Sequence, residues 1–169
     1  MKVIGIAGWS GSGKTTLVIR LLPVLNERGF SVSTIKHAHH AFDVDLPGKD
    51  SYRHRDAGAR EVLISSHNRW ALMHEHRGDS EAGLTDLLAR LTPVDLVLVE
   101  GFKDYPHDKI EIYRESVGKP LRAGNDPNVV AVASDRPLAG LGVPVLDLDD
   151  ADAIAEFIIR HQELTSRVA

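Results

Sequence analysis

The sequence predicts an α/β domain built on a mostly parallel sheet covered by helices. Three observations carry that expectation. Short apolar runs recur along the chain, helical patterns lie between them, and a glycine-rich stretch joins the first run to the first helical pattern. Val/Ile/Leu runs without polar alternation suit strands buried on both faces, as a helix-covered parallel sheet requires.

The elements follow in order. Val3–Ala7 reads as the first buried strand, and Leu17, Leu21, Val24 and Leu25 then keep one apolar face of a helix. Pro23 falls inside that helix and removes one backbone bond, so a local bend is expected. A second strand ends at Lys36. Leu84, Leu87, Leu88 and Leu91 mark another helix, followed by a strand at Leu96–Val99. Further strands are expected at Lys109–Arg114, Val129–Ala133 and Val143–Leu146. A last helix begins at Asp149–Asp150, whose carboxylates suit a helix N-terminus, and carries Ile154, Phe157, Ile158 and Leu164 inward. Residues 37–58 and 103–128 read as long connections, and connections of that length in a compact domain are usually functional.

At 169 residues the chain fits a single domain, 1–169, with one substantial core. There is no cysteine, which excludes disulfides, thiolate metal sites and thiol nucleophiles. The net charge of −4 gives no global basic field for nucleic acid. No stretch approaches a membrane span, and the apolar start breaks at Gly5 before any signal-peptide core forms. A cytoplasmic location without membrane attachment is the expectation.

The chemistry is concentrated in Gly8-Trp9-Ser10-Gly11-Ser12-Gly13-Lys14-Thr15, which fits G-x-x-x-x-G-K-[ST] at every fixed position. With Gly at about 7% of average usage, chance gives such a match in roughly one chain of this length in a hundred, or fewer. The preceding strand and following helix supply the context the motif needs, which predicts the P-loop NTPase three-layer fold. Glycines let the loop turn its N–H groups toward a phosphate chain, and the helix N-terminus adds partial positive charge. Ser10, Gly11, Ser12, Gly13, Lys14, Thr15 and Thr16 are the expected nucleotide contacts. Lys14 reaches the β- and γ-phosphates, and the Thr15 hydroxyl ligates magnesium. A dinucleotide fingerprint fails, because Thr16 stands where its third glycine belongs and the second strand ends at Lys36 rather than an acid.

Glu100 ends a buried strand, the usual place for an acid that holds magnesium directly or through water; Gly101 can bring its N–H toward the γ-phosphate. Asp45 and Asp50 are further candidates for the metal. Lys36, His37, Lys49 and Arg53 are candidates for anion or partner contact. His37, His39 and His40 invite a zinc reading, but no helical His or carboxylate pair completes a set, so anion contact or plain surface is expected there. Asp135 follows the Val129–Ala133 strand, and such an aspartate can accept from guanine N1–H and N2–H. The Asn-Lys pair that usually precedes a guanine-reading Asp is absent, so the base stays open on this feature alone.

Gly-Ser-Gly-Lys-Thr-Thr, Ile-Lys-His-Ala-His-His, Pro-Gly-Lys-Asp-Ser-Tyr-Arg-His-Arg-Asp-Ala-Gly-Ala and Leu-Val-Glu-Gly-Phe-Lys, in that order, resemble the MobB family of molybdopterin-guanine dinucleotide biosynthesis adapter proteins. The similarity runs from residue 3 to about residue 160, and the segment 36–59 is far more specific than the phosphate loop. The resemblance implies a GTP- and Mg2+-binding homodimer with at most weak GTPase activity. It implies a MobA-type guanylyltransferase as partner, which joins GMP to molybdopterin. It assigns Lys14, Thr15 and Glu100 to phosphate and magnesium, and segment 36–59 to the nucleotide, the pterin or the partner. Extra strands would cross the subunit boundary, and residues 103–128 are the expected source.

Two other functions compete. A small-molecule kinase using ATP would need added positive charge over the transferred phosphate and a base for the acceptor. Arg53, Arg55 and Asp45 are available for those roles, yet no arginine-rich lid follows Glu100. A non-enzymatic adapter would use the nucleotide only to set partner affinity.

Overall fold

The computed structural model describes residues 1–38 and 42–165. In chain order the elements are β1 (Lys2–Ala7), α1 (Lys14–Glu27), β2 (Val32–Lys36), α2 (Asp50–Asp56), β3 (Glu61–Ser65), β4 (Trp70–His74) and α3 (Leu84–Leu88). Then follow β5 (Leu96–Glu100), β6 (Lys109–Tyr113), β7 (Val129–Ser134), β8 (Val145–Asp147) and α4 (Ala151–His161). They form two compact units: Met1–His37 with the chain from Leu87 onward, and Ala38–Asp86. Among the described residues no helix is long and apolar enough to cross a membrane.

The larger unit is the predicted α/β fold. Its six strands run in the order β2-β5-β1-β6-β7-β8, and every pairing is parallel. Strand alternation sends Ile4, Ile6, Leu96, Leu98, Ile110, Ile112, Ala131 and Ala133 to one face. There they form one core with Leu17, Leu21 and Leu25 of α1 and Ile154, Ala155 and Ile158 of α4. Burying a side chain of this size stabilises by about 1.5–3 kcal/mol, so this apolar layer outweighs the salt bridges around it. Arg28, for example, pairs with Asp152 at 2.8 Å and Glu156 at 3.1 Å, but exposed pairs contribute only about 0–1 kcal/mol. Asp150 caps α4 by accepting from the Ala153 N–H at 2.8 Å, which bears out its role at a helix start. Helix α1 runs unbroken through Pro23.

Several expectations change. The run Val143–Leu146 becomes the short β8, Val145–Asp147, because Pro144 has no N–H for the ladder and contributes its carbonyl to Val132 N–H instead. The Leu84–Leu91 helix is one turn, Leu84–Leu88. The connection 37–58 contains a helix, α2. Segment 103–128 does not supply extra strands: β6 lies inside the main sheet, between β1 and β7. The strands outside that sheet are β3 and β4, an antiparallel pair in the smaller unit.

The alternating pattern of β6, Lys-Ile-Glu-Ile-Tyr, looks like a half-exposed strand, yet Lys109 and Glu111 are each 1% exposed. The neighbouring connections cover them. Lys109 donates to the Tyr105 carbonyl at 2.9 Å and meets Asp126 at 3.4 Å. The Glu111 carboxylate accepts from Arg122 N–H at 2.9 Å and Ala123 N–H at 2.8 Å. Burial pushes the Glu111 pKa up against the pull of those two N–H groups. Gly5 lies under the same cover, where a Cβ would come within 2.5 Å of His107 Nε2.

Glu111→Ala is therefore expected to destabilise the protein by about 2–4 kcal/mol, since two buried N–H donors lose their acceptor. Glu111→Gln keeps an acceptor oxygen and should cost much less. Urea denaturation of both variants measures the difference.

Candidate functional site

The sheet order makes β1 the switch point: the chain leaves it through α1 to β2 on one side, while β6, β7 and β8 extend the other. Ligands of such sheets bind at the carboxyl ends of the strands at that point. There the phosphate loop emerges. Gly8 has φ 142°, and a Cβ on it would lie 2.7 Å from Ser12 Oγ and 2.8 Å from the Ile112 carbonyl. No other residue fits that turn. Gly13, at φ 100°, caps α1 without a side-chain hydrogen bond. The first-turn N–H groups are thus left without a side-chain acceptor, as an anion site needs. Ser12 Oγ is buried and has no hydrogen-bond partner.

Lys14 folds along the loop, its Nζ donating to the Gly8 and Trp9 carbonyls, both at 2.9 Å. Burial lowers its pKa; Glu100 opposes the shift and Lys36 adds to it. Thr15 Oγ1 donates to Glu100 at 2.9 Å and 3.1 Å. The parallel register sets this pair, because Ile6 lies level with Glu100 and so brings the acid to the loop.

The donor set fits magnesium. Mg2+ takes octahedral oxygens at about 2.0–2.1 Å, often one or two from protein with phosphate and water completing the shell. Adjacent corners of such an octahedron are about 2.8–3.0 Å apart, and Thr15 Oγ1 and Glu100 Oε1 stand 2.9 Å apart. Among the described residues no group of three His, Cys, Asp or Glu side chains forms a richer metal site.

Gly101 turns at φ 102°, and a Cβ there would approach His37 Cβ to 2.7 Å. His37 donates its N–H to the Glu100 carbonyl at 2.8 Å, and its ring packs on Phe102 at 4.7 Å. Lys36 lies beside Glu100, with Nζ 3.2 Å from Oε1. The larger unit therefore gathers Lys14, Thr15, Lys36, His37, Glu100 and Gly101 at neighbouring strand ends. The zinc reading falls partly on His39 and His40, which lie outside the described residues.

Asp135 follows β7 and accepts from Arg114 at 3.2 Å. With Ser134, Arg136, Leu138, Val145 and Asp147 it lines an open cleft of about 360 Å³. Arg114 also donates to the Ser12 carbonyl at 3.2 Å, linking the phosphate loop to that cleft. Sequence reasoning missed this residue. Its place just after β6 was the available signal, because strand ends of such sheets face the ligand. Trp9 was missed as well: its indole donates to Pro120 at 2.9 Å, and the ammonium groups of Lys103 and Lys119 lie 5.9 Å and 5.7 Å from the ring centre.

The remaining candidates lie in the smaller unit. Asp45 accepts from Ser51 Oγ at 2.9 Å and from Leu46 N–H at 3.0 Å, and faces Arg55 at 3.6 Å. Asp50 begins α2, is exposed, and pairs with Arg53 at 3.8 Å. Lys49 is the α2 N-cap residue. Arg55 is the hub of this unit, held by Asp43 at 2.7 Å and Glu75 at 2.9 Å, and these carboxylates raise its pKa further.

Fold and loop together define an α/β protein of the P-loop nucleotide-binding type. The chain belongs to the MobB family: the model described as "Molybdopterin guanine dinucleotide synthesis protein B" matches residues 3–135. It is 45% identical to the molybdopterin-guanine dinucleotide biosynthesis adapter protein of Escherichia coli K12, over 95% of this chain and 93% of that one. It is 44% identical to the Haemophilus influenzae protein of the same name, over 92% and 86%. Among solved structures it resembles a MobB homologue from Bacillus stearothermophilus, with TM-score 0.72 and 27% identity over 96% of this chain and 99% of that one. It also resembles a structure titled molybdopterin-guanine biosynthesis protein B, with TM-score 0.74 and 29% identity over 94% and 99%.

If Glu100 serves the metal, Glu100→Gln should weaken nucleotide binding in magnesium more than in EDTA, by about tenfold, the effect of a single charge-assisted contact. Equal losses in the two buffers, read by fluorescent-nucleotide titration, would count against that role.

Proposed function

We propose that this chain binds GTP with magnesium and acts as the adapter in molybdopterin guanine dinucleotide biosynthesis. Its partner is a MobA-type guanylyltransferase, which joins GMP to molybdopterin, and its location is the cytoplasm. The observation that carries the nucleotide part is the convergence of Lys14, Thr15 and Glu100 at the carboxyl end of β1 and β5. Family membership carries the pathway part.

In this reading the loop amides and Lys14 cradle the phosphates, while Thr15 and Glu100 would hold the magnesium, which would supply charge neutralisation for the phosphate chain. Asp135 reads the base edge from the cleft after β7. Its present partner Arg114 then has to share or yield the carboxylate, so phosphate loop and base site respond together. The nucleotide sets partner affinity, and hydrolysis is at most weak. Asp45, Asp50, Lys49 and Arg53 keep their proposed roles in metal, anion or partner contact, with Asp50, Lys49 and Arg53 the more accessible.

We also propose a homodimer through the β3–β4 hairpin. A two-stranded hairpin is marginal alone in water, and this one pairs Leu63 with Leu72 and Ser65 with Trp70 on a common face. Leu63 is 61%, Leu72 41% and Trp70 63% exposed. Such an apolar face suits a second copy of the chain.

Calorimetry with GTP and with ATP, each with magnesium, tests the function. Preference for GTP is expected; equal binding or a preference for ATP would favour the kinase reading. Lys14→Ala should fold normally and lose about 10- to 100-fold in GTP affinity, the worth of a charged hydrogen bond to phosphate. For the dimer, the double substitution Leu63→Glu and Leu72→Glu should yield monomers in sedimentation experiments, because like charges would face each other on an apolar surface. An unchanged sedimentation coefficient would refute the hairpin interface.

A further inference from the structure

Lys36, expected from the sequence to meet an anion or a partner, has its ammonium in an unusual position. Nζ lies 3.2 Å from Glu100 Oε1 and 3.3 Å from Thr15 Oγ1. Those are the two oxygens that suit magnesium. They are themselves 2.9 Å apart. A cation bonded to both at about 2.1 Å would stand no more than about 4.4 Å from Nζ, whichever side of the oxygen pair each occupies. A dication and an ammonium cannot share that space without strong repulsion. Lys36 is anchored there by the register of β2 with β5, which sets it level with Glu100. Its side chain is nevertheless 59% exposed, whereas that of Glu100 is 13% exposed. The lysine can therefore swing out while the carboxylate stays.

We propose that Lys36 is a tethered counter-cation for the magnesium site, neutralising Glu100 in the metal-free protein and giving way when the metal arrives. The inference rests on the nucleotide reading above and deepens it. Two consequences follow from one charge. Without metal, Lys36 screens Glu100 from the incoming phosphates, so nucleotide binding survives in part. With metal, leaving the oxygen pair opposes metal entry. Lys36 thus makes nucleotide binding less dependent on magnesium, and it couples the end of β2 to metal occupancy. The residue acts through Glu100 and Thr15 and is a positioning residue.

The test is fluorescent GTP-analogue binding to the full chain in EDTA and across a magnesium titration, for the wild type, Lys36→Met and Lys36→Arg. Met keeps the length of the stem and removes the charge; at an exposed position it should leave the thermal midpoint unchanged. Expected for Lys36→Met is weaker binding in EDTA and a lower magnesium concentration at half-effect. Together these widen the ratio of affinities with and without metal by about tenfold, and Lys36→Arg restores the wild-type ratio. An unchanged or narrowed ratio in Lys36→Met overturns the counter-cation role and leaves the phosphate-loop reading standing. Failure of Lys36→Arg to restore the ratio also overturns it, because the effect would not then follow the charge. A wild-type protein that binds no nucleotide in either buffer overturns both.

Discussion

The site depends on the register of three parallel strands. Ile6 of β1 lies level with Glu100 of β5, and Lys36 of β2 lies level with the same glutamate. That alignment ends the central strands together, so that the phosphate loop, the acid and the lysine meet at one edge of the sheet. Side chains alternate with a period of two, and a slip of one residue would turn Glu100 to the opposite face. The slip is prevented by the core: Leu96 and Leu98 must remain against α1 and α4, beside Ile4 and Ile6. Packing energy from apolar residues thus holds a polar constellation that contributes little stability of its own.

Two glycines show what this geometry demands of the backbone. Gly8 passes so close to Ser12 and Ile112 that a Cβ would collide, and Gly101 does the same against His37. Both also lie at positive φ, 142° and 102°, where side chains are strained. Each stands at the end of a strand that delivers a site residue. The close approach lets β1 and β5 turn sharply enough to keep Lys14, Thr15 and Glu100 in mutual reach. It also ties the start of segment 37–58 to the site, because His37 packs on Gly101 and Phe102.

The larger unit handles charge differently on its two sides. Along the strand ends, Lys36, Glu100 and Thr15 form a side-chain set in which the lysine is exposed and the carboxylate mostly covered. Under the connections that cover β6, Lys109 is enclosed by the Tyr105 carbonyl and the Asp126 carboxylate, and Glu111 by the Arg122 and Ala123 N–H groups. A buried ion held this way costs desolvation that its hydrogen bonds must offset, which explains why the cover consists of irregular backbone with amides and carbonyls available to pair. Opposite-face neighbours Ile110 and Ile112 remain in the apolar core, so one strand serves both environments.

Much of this was legible in the sequence. The phosphate loop, the buried strands at Leu96 and Val129, the cap of α4 and the acid at position 100 all follow from local rules: fixed spacing, apolar runs and helix-end chemistry. The motif order was specific enough to indicate the family. Local rules failed where distant chain segments decide. The strand expected at Lys109–Arg114 alternates charged residues with isoleucines, a pattern that does not reveal burial on both faces, and only the overlying connections offset the burial of Lys109 and Glu111. The β3–β4 pair went unread because most of its apolar residues are exposed, Val62 and Met73 alone being buried, so its sequence carries no clean alternation. Arg114 acquires meaning only when β6 brings it between Ser12 and Asp135. The identity of the ligand-binding loop was written in the sequence; which side chains surround it was decided by the order and register of the parallel strands, which depend on contacts about 85 residues apart, as between Thr15 and Glu100.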